Sequence, residues 1–152
     1  MKKYKLLITD LDGTLIETLS GDTFPKGIWD MKLKLYVFEA IKNYAPDDIL
    51  IISNQGGIEK GFVDKEMFEY KFDYISSALE DYTNISVYNF YCDNNDKDNI
   101  NRKPNTGMID QYMDYIKFIN DNVDEENKII YDTIMMIGDA SGKEGQFSDS
   151  DK

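Results

Sequence analysis

Four short apolar runs, each closing on a polar residue or glycine, alternate along the chain with stretches whose apolar positions recur every three or four residues. Lys5 to Asp10 reads as a buried strand ending in a carboxylate, and Ile49 to Ser53 as one ending in a hydroxyl. Ser86 to Cys92 and Thr133 to Gly138 complete the set, the last followed by Asp139. Between the first two strands, Leu33, Tyr36, Val37, Ala40, Ile41 and Tyr44 share one helical face. Phe68, Phe72, Ile75, Leu79 and Tyr82 do so after an N-cap at Asp64. Ile109, Tyr112, Met113 and Ile116 repeat the pattern after Thr106, with Pro104 barring earlier helix. Strands alternating with helices predict an α/β fold with a doubly wound parallel sheet, and fully apolar strands such as Leu50-Ile51-Ile52 fit burial on both faces. Gly13 to Asp30 reads as an irregular or hairpin excursion, and Asp93 to Asn101 as a polar loop. No fifth strand is visible after Asp139, which leaves an open sheet edge.

At 152 residues, 41% hydrophobic and 13% aromatic, the chain is expected to form a single folded domain over 1–152. No apolar run approaches the roughly 20 residues a membrane span needs, so no membrane partner is expected. The start, Met1-Lys2-Lys3-Tyr4, leads into the first strand and carries no cleavage site. With one cysteine, Cys92, no disulfide framework can form, and a reducing, cytoplasmic setting is expected. The lack of histidine changes the picture most, because it excludes Ser-His-Asp and Cys-His catalysis and His-based metal sites. The net charge of −12 disfavours broad nonspecific contact with nucleic acid, though not a grip on one phosphate.

In a parallel α/β sheet the ligand sits beyond the carboxyl ends of the strands. Asp10, Ser53 and Asp139 stand there, with Asp12 just past the first strand. Converging carboxylates repel one another or call for a cation, and a His-free oxygen set suits Mg²⁺. By that repulsion, neutralising Asp10 should hold or raise stability. Two rival motifs fail. Calcium loops starting at Asp10 or Asp93 would place Leu15 or Asp98 where glycine is needed, and Gly21 or Pro104 where glutamate is needed. Gly138 to Glu144 is one residue short of a P-loop and has Glu144 in place of the Mg²⁺-binding hydroxyl.

Taken in order, Asp10-Leu-Asp12-Gly-Thr14, Ser53-Asn54-Gln55-Gly56-Gly57-Ile58, Arg102-Lys103-Pro104 and Gly138-Asp139 resemble the four motifs of haloacid dehalogenase superfamily phosphatases. A core with only a short excursion resembles the capless members. The finer resemblance is to the 3′-phosphatase domain of polynucleotide kinase/phosphatase. Phe24-Pro25 with Trp29, Arg102 to Met108, Gly138 to Gly142, and Phe147-Ser-Asp-Ser-Asp151 carry it. Capless relatives acting on heptose bisphosphate or histidinol phosphate share the Asn-Gln-x-Gly-Ile motif. They commonly carry a zinc-binding Cys/His loop that this sequence cannot build. The chain stops at Lys152, where the family continues into another helix and strand, and no kinase domain is present.

The resemblance implies a Rossmann-like core and a Mg²⁺-dependent phosphomonoesterase acting on 3′-phosphorylated nucleic-acid ends, with a kinase or ligase as partner. It implies Asp10 as nucleophile and Asp12 as general acid and base. Ser53 and Asn54 would bind the phosphoryl group and Lys103 would neutralise it. The metal would take Asp10, Asp139, the carbonyl of Asp12 and, through its water shell, Asp151. Other readings stay open. Lys103 fits an ordinary loop lysine, Arg102 either a phosphate contact or a partner of nearby aspartates, and Trp29 either a base-stacking residue or a core residue. The Tyr-rich helices read as packing faces. The alternatives are the same chemistry on a small metabolite or nucleotide, and a catalytically weak binding or scaffold module.

Overall fold

The computed structural model describes residues 2–139. Four parallel strands form the main sheet in the order β5-β4-β1-β6, where β1 is Lys3–Thr9, β4 Asp48–Asn54, β5 Ser86–Cys92 and β6 Ile130–Ile137. Each is rich in apolar, aromatic or β-branched residues. The central pair is buried deepest, with Leu6, Ile49, Leu50 and Ile51 wholly inaccessible. From β1 the chain steps outward through β4 to β5, then returns to the other side of β1 for β6. The reversal of direction lies between β1 and β6, which puts the crevice beyond the ends of those two strands.

Helices cover both faces, so the doubly wound architecture holds. On one face α1 (Leu35–Tyr44) and α3 (Lys65–Thr83) bury Phe38, Ile41, Phe68, Phe72, Ile75 and Leu79 against Leu7, Ile49 and Ile51. On the other, α4 (Gly107–Asp121) packs Met108, Tyr112 and Ile116 against Leu6, Ile8, Leu50 and Ile52. The alternation of strand residues between the two clusters is the two-residue period of a pleated strand. Asp64 caps α3 by accepting the backbone N–H of Met67 at 2.9 Å, and α4 starts directly after Thr106.

Two expectations need correction, and one alternative is decided. Leu33 lies in a short strand, β3 (Lys32–Leu33), rather than in the first helix, and α1 turns Phe38 and Ile41 inward while Tyr36 is 71% exposed. Lys34 donates its N–H to the Leu15 carbonyl and its Nζ to the Gly13 carbonyl, which ties residue 34 to the first loop and starts the helix after it. The excursion is a hairpin, with β2 (Ile16–Glu17) pairing antiparallel to β3 (Lys32–Leu33). The last strand begins at Ile130, three residues earlier than its apolar core shows. Among the described residues the parallel sheet has four strands, and β6 leaves Ile134 and Met135 about half exposed. No described helix is long and apolar enough to cross a membrane.

Within the hairpin, Asp30 is 1% exposed and its carboxylate collects the Ser20 N–H at 2.8 Å, the Ser20 hydroxyl at 2.7 Å and the Lys26 N–H at 2.9 Å. The Ser20 hydroxyl, then the Lys26 amide, holds its pKa well below the usual 3.8, at about 2. A carboxylate with a depressed folded pKa contributes order above its unfolded pKa and loses it as pH falls toward the folded one. The emission of Trp29, the only tryptophan, should therefore stay constant from neutrality to about pH 4 and shift as pH falls from 3.8 toward 2. Asp30→Asn should show the acid-form emission already at neutral pH. A variant with wild-type emission and the wild-type acid midpoint would contradict this.

Candidate active site

The crevice is built from strand ends. Asp10 follows β1 directly, and its N–H donates to the Ile137 carbonyl of β6 at 3.1 Å, which places it at the mouth between the two strands. Its side chain is nearly buried, and Lys103 Nζ donates to Asp10 Oδ1 at 2.9 Å. Lys103 is 5% exposed, so the ordinary-loop reading of this lysine is set aside. A buried ammonium so far from water persists only where carboxylates compensate it.

Asn54, the last residue of β4, fixes that lysine. Its Nδ2 donates to the Lys103 carbonyl at 3.1 Å and its Oδ1 accepts the Lys103 N–H at 2.9 Å. Both polar ends of the amide thereby grip the main chain of residue 103. Asn54 thus holds the lysine loop, a contact that its expected role at the phosphoryl group does not include. Ser53, one residue earlier, is 1% exposed.

Asp12 is solvent-exposed, and its Oδ2 accepts Gln55 Nε2 at 2.6 Å. The same nitrogen lies 2.8 Å from Ser53 Oγ. Gly13, at φ +79°, makes the close approach on the other side: a Cβ there would stand 1.9 Å from Asp139 Oδ2. The carboxylate that follows β6 thus packs on the backbone of the first loop, and only glycine permits it. Lys34 Nζ pins the Gly13 carbonyl at 2.7 Å. The structure therefore brings Asp10, Asp12, Ser53, Lys103 and Asp139 to one end of the sheet. Among the described residues no three carboxylate, Cys or His side chains cluster as a ready metal cage. Asp10, Asp139 and the backbone of the Asp12-Gly13 loop offer hard oxygen donors, and the cradle at Gly13 admits Asp139 to them. Asp151 and the Phe147-to-Asp151 match lie outside the described residues.

Arg102 donates through Nη1 to the Asn94 carbonyl at 3.2 Å and braces the polar loop from Asp93 to Asn105. Trp29 is 66% exposed, so it is no core residue. Phe24, 42% exposed, lies on Gly57 of the second motif with its ring 5.3 Å from that of Phe62, which forms an exposed aromatic surface beside the Ser53-to-Ile58 loop. Reading the sequence missed Gln55 and Lys34 as parts of the site. Their motif neighbours drew attention to the loops, but no pattern marks which side chain reaches across.

The model of the family described as polynucleotide kinase 3 phosphatase matches residues 5–152. The bifunctional polynucleotide phosphatase/kinase of Schizosaccharomyces pombe is 31% identical over 99% of this chain, which spans 34% of that protein. A "probable D-glycero-D-manno-heptose-1,7-bisphosphate 7-phosphatase" of Thermoplasma volcanium is 24% identical over 95% of this chain and 91% of its own length. Among solved structures, the D,D-heptose 1,7-bisphosphate phosphatase of B. bronchiseptica, complexed with magnesium and phosphate, superposes with a TM-score of 0.57 at 25% identity. That superposition covers 79% of this chain and 65% of the other, a little under two thirds of its length. The motifs at the strand ends and these likenesses agree, and the chain belongs to the polynucleotide kinase 3 phosphatase family of haloacid dehalogenase-type phosphatases.

Proposed function

We propose that the chain is a Mg²⁺-dependent phosphomonoesterase that removes the 3′-phosphate from nucleic-acid ends. The observation that carries the chemistry is the buried Lys103–Asp10 pair at 2.9 Å beside Asp12, whose carboxylate is tied back by Gln55. The nucleic-acid substrate is supported by the family match, by the exposed aromatic surface of Phe24 and Phe62 and by the exposed ring of Trp29.

Asp10 attacks the phosphorus, the bond from phosphorus to the 3′-oxygen breaks, and that oxygen takes its proton from Asp12. Asp12, now ionised, accepts a proton from water, and the resulting hydroxide attacks the aspartyl-phosphate. The bond from phosphorus to Asp10 breaks, and inorganic phosphate leaves. Lys103 neutralises charge on Asp10 and the phosphoryl oxygens, and Ser53 donates its hydroxyl to one of them. A Mg²⁺ ion held by Asp10, Asp139 and the Asp12 carbonyl, with Asp151 behind its water shell, would supply further neutralisation of the phosphoryl charge. Excess EDTA should abolish turnover and Mg²⁺ restore it, since an oxygen-only site favours a hard cation. Full activity in protein shown metal-free by elemental analysis would refute that dependence.

The substrate test compares phosphate release from a 3′-phosphorylated dinucleotide, a long 3′-phosphorylated strand, a 5′-phosphorylated strand and sugar phosphates. With a net charge of −12, few counterions are released along a strand, so the dinucleotide should match the long strand within about threefold in kcat/KM and salt should depress it weakly. The 5′-phosphorylated strand should be poor. The heptose bisphosphate phosphatase relatives favour a second reading, a small phosphorylated metabolite, and faster turnover of sugar phosphates would select it.

A further inference from the structure

We propose that Gln55 is a positioning residue that sets the hydrogen-bond direction of both Asp12 and Ser53. The proposal rests on the reading of Asp12 as the proton donor to the leaving group. The Gln55 amide faces Asp12 Oδ2 with its NH₂ at 2.6 Å, and Oδ2 accepts that bond both in the carboxylate and in the acid that carries its proton on Oδ1. The second hydrogen of that group is directed to Ser53 Oγ, 2.8 Å away. Both donors of one nitrogen are thus used, and Gln55 is itself 9% exposed, with its own N–H held by the Cys92 carbonyl at 2.7 Å.

The consequence for Ser53 is a matter of proton direction. A buried hydroxyl among carboxylates would otherwise donate to one of them, and its proton would be lost to the substrate. Accepting from Gln55, Ser53 Oγ keeps its single hydrogen for a phosphoryl oxygen. The consequence for Asp12 is orientation. With Oδ2 tethered, the exposed carboxyl group presents Oδ1 to the leaving oxygen rather than rotating in solvent.

The test exploits leaving groups. An alkoxide needs the proton of Asp12, whereas 4-nitrophenolate departs without one. For Gln55→Met and the near-isosteric Gln55→Glu, kcat/KM should fall about 30- to 100-fold on the alkyl phosphomonoester that the wild type hydrolyses fastest, and under about 10-fold on 4-nitrophenyl phosphate. Circular dichroism melting confirms that each variant is folded, and Gln55→Glu supplies the answer if Gln55→Met is not. Ser53→Ala should weaken inhibition by inorganic phosphate in the wild type and add little in the Gln55→Met background. Equal losses on both substrates in the Gln55 variants, while Asp12→Asn keeps its selective loss on the alkyl ester, would overturn the proposal and leave the role of Asp12 standing. Equal losses in Asp12→Asn itself would instead overturn the proton-donor reading, and the proposal with it.

Discussion

Asp10→Asn should reduce turnover by about 10³-fold or more while the protein stays folded. The amide cannot form the aspartyl-phosphate, so no later step can proceed through it. Simple repulsion among carboxylates predicts that this change holds or raises stability, but the buried pair alters the balance. Lys103 Nζ lies 2.9 Å from Asp10 Oδ1, and at that position a neutral acceptor replaces the carboxylate when Asp10 becomes Asn. A charge–dipole contact replaces a charge–charge one, against which the relief of repulsion works, and the net change in stability should lie within about 1 kcal/mol. Phosphate release and thermal melting, measured together without divalent cation, check both halves. Near-wild-type turnover would sink the mechanism.

Lys103→Met should destabilise the fold where Asp10→Asn barely changes it, while also abolishing activity. Removing the cation takes one charge partner from the nearly buried Asp10 carboxylate, and breaking one side of a buried ion pair costs about 3–5 kcal/mol. Methionine fills much of the lysine's volume, so the loss is electrostatic rather than a cavity effect. The double variant Asp10→Asn/Lys103→Met should recover most of that stability, since neither buried charge of the pair remains. Denaturant titrations of the wild type, both single variants and the double variant give the coupling directly. Additive losses would show that the pair contributes little.

Sequence by itself determined the elements and the identity of the chemical groups. Four apolar runs are long enough and rich enough in β-branched residues to be buried strands, and the intervening three- and four-residue periods can only be helices. The motif spacing put Asp10, Asp12, Ser53, Lys103 and Asp139 at strand ends or on the loops after them. Lack of histidine had already narrowed the site to oxygens and amines. Tertiary structure alone decided how those groups are used. Asp12 and Gln55 are 43 residues apart, Asn54 and Lys103 49, and Asp10 and Lys103 93. Their contacts depend on β1, β4 and β5 lying side by side with their carboxyl ends together and on the depth to which each side chain is buried, neither of which any local pattern encodes. The same reason explains why Asn54 reads in sequence as a phosphate ligand and in space as a clamp on Lys103. An amide has the same hydrogen-bonding groups in both roles, and only the position of its partners distinguishes them.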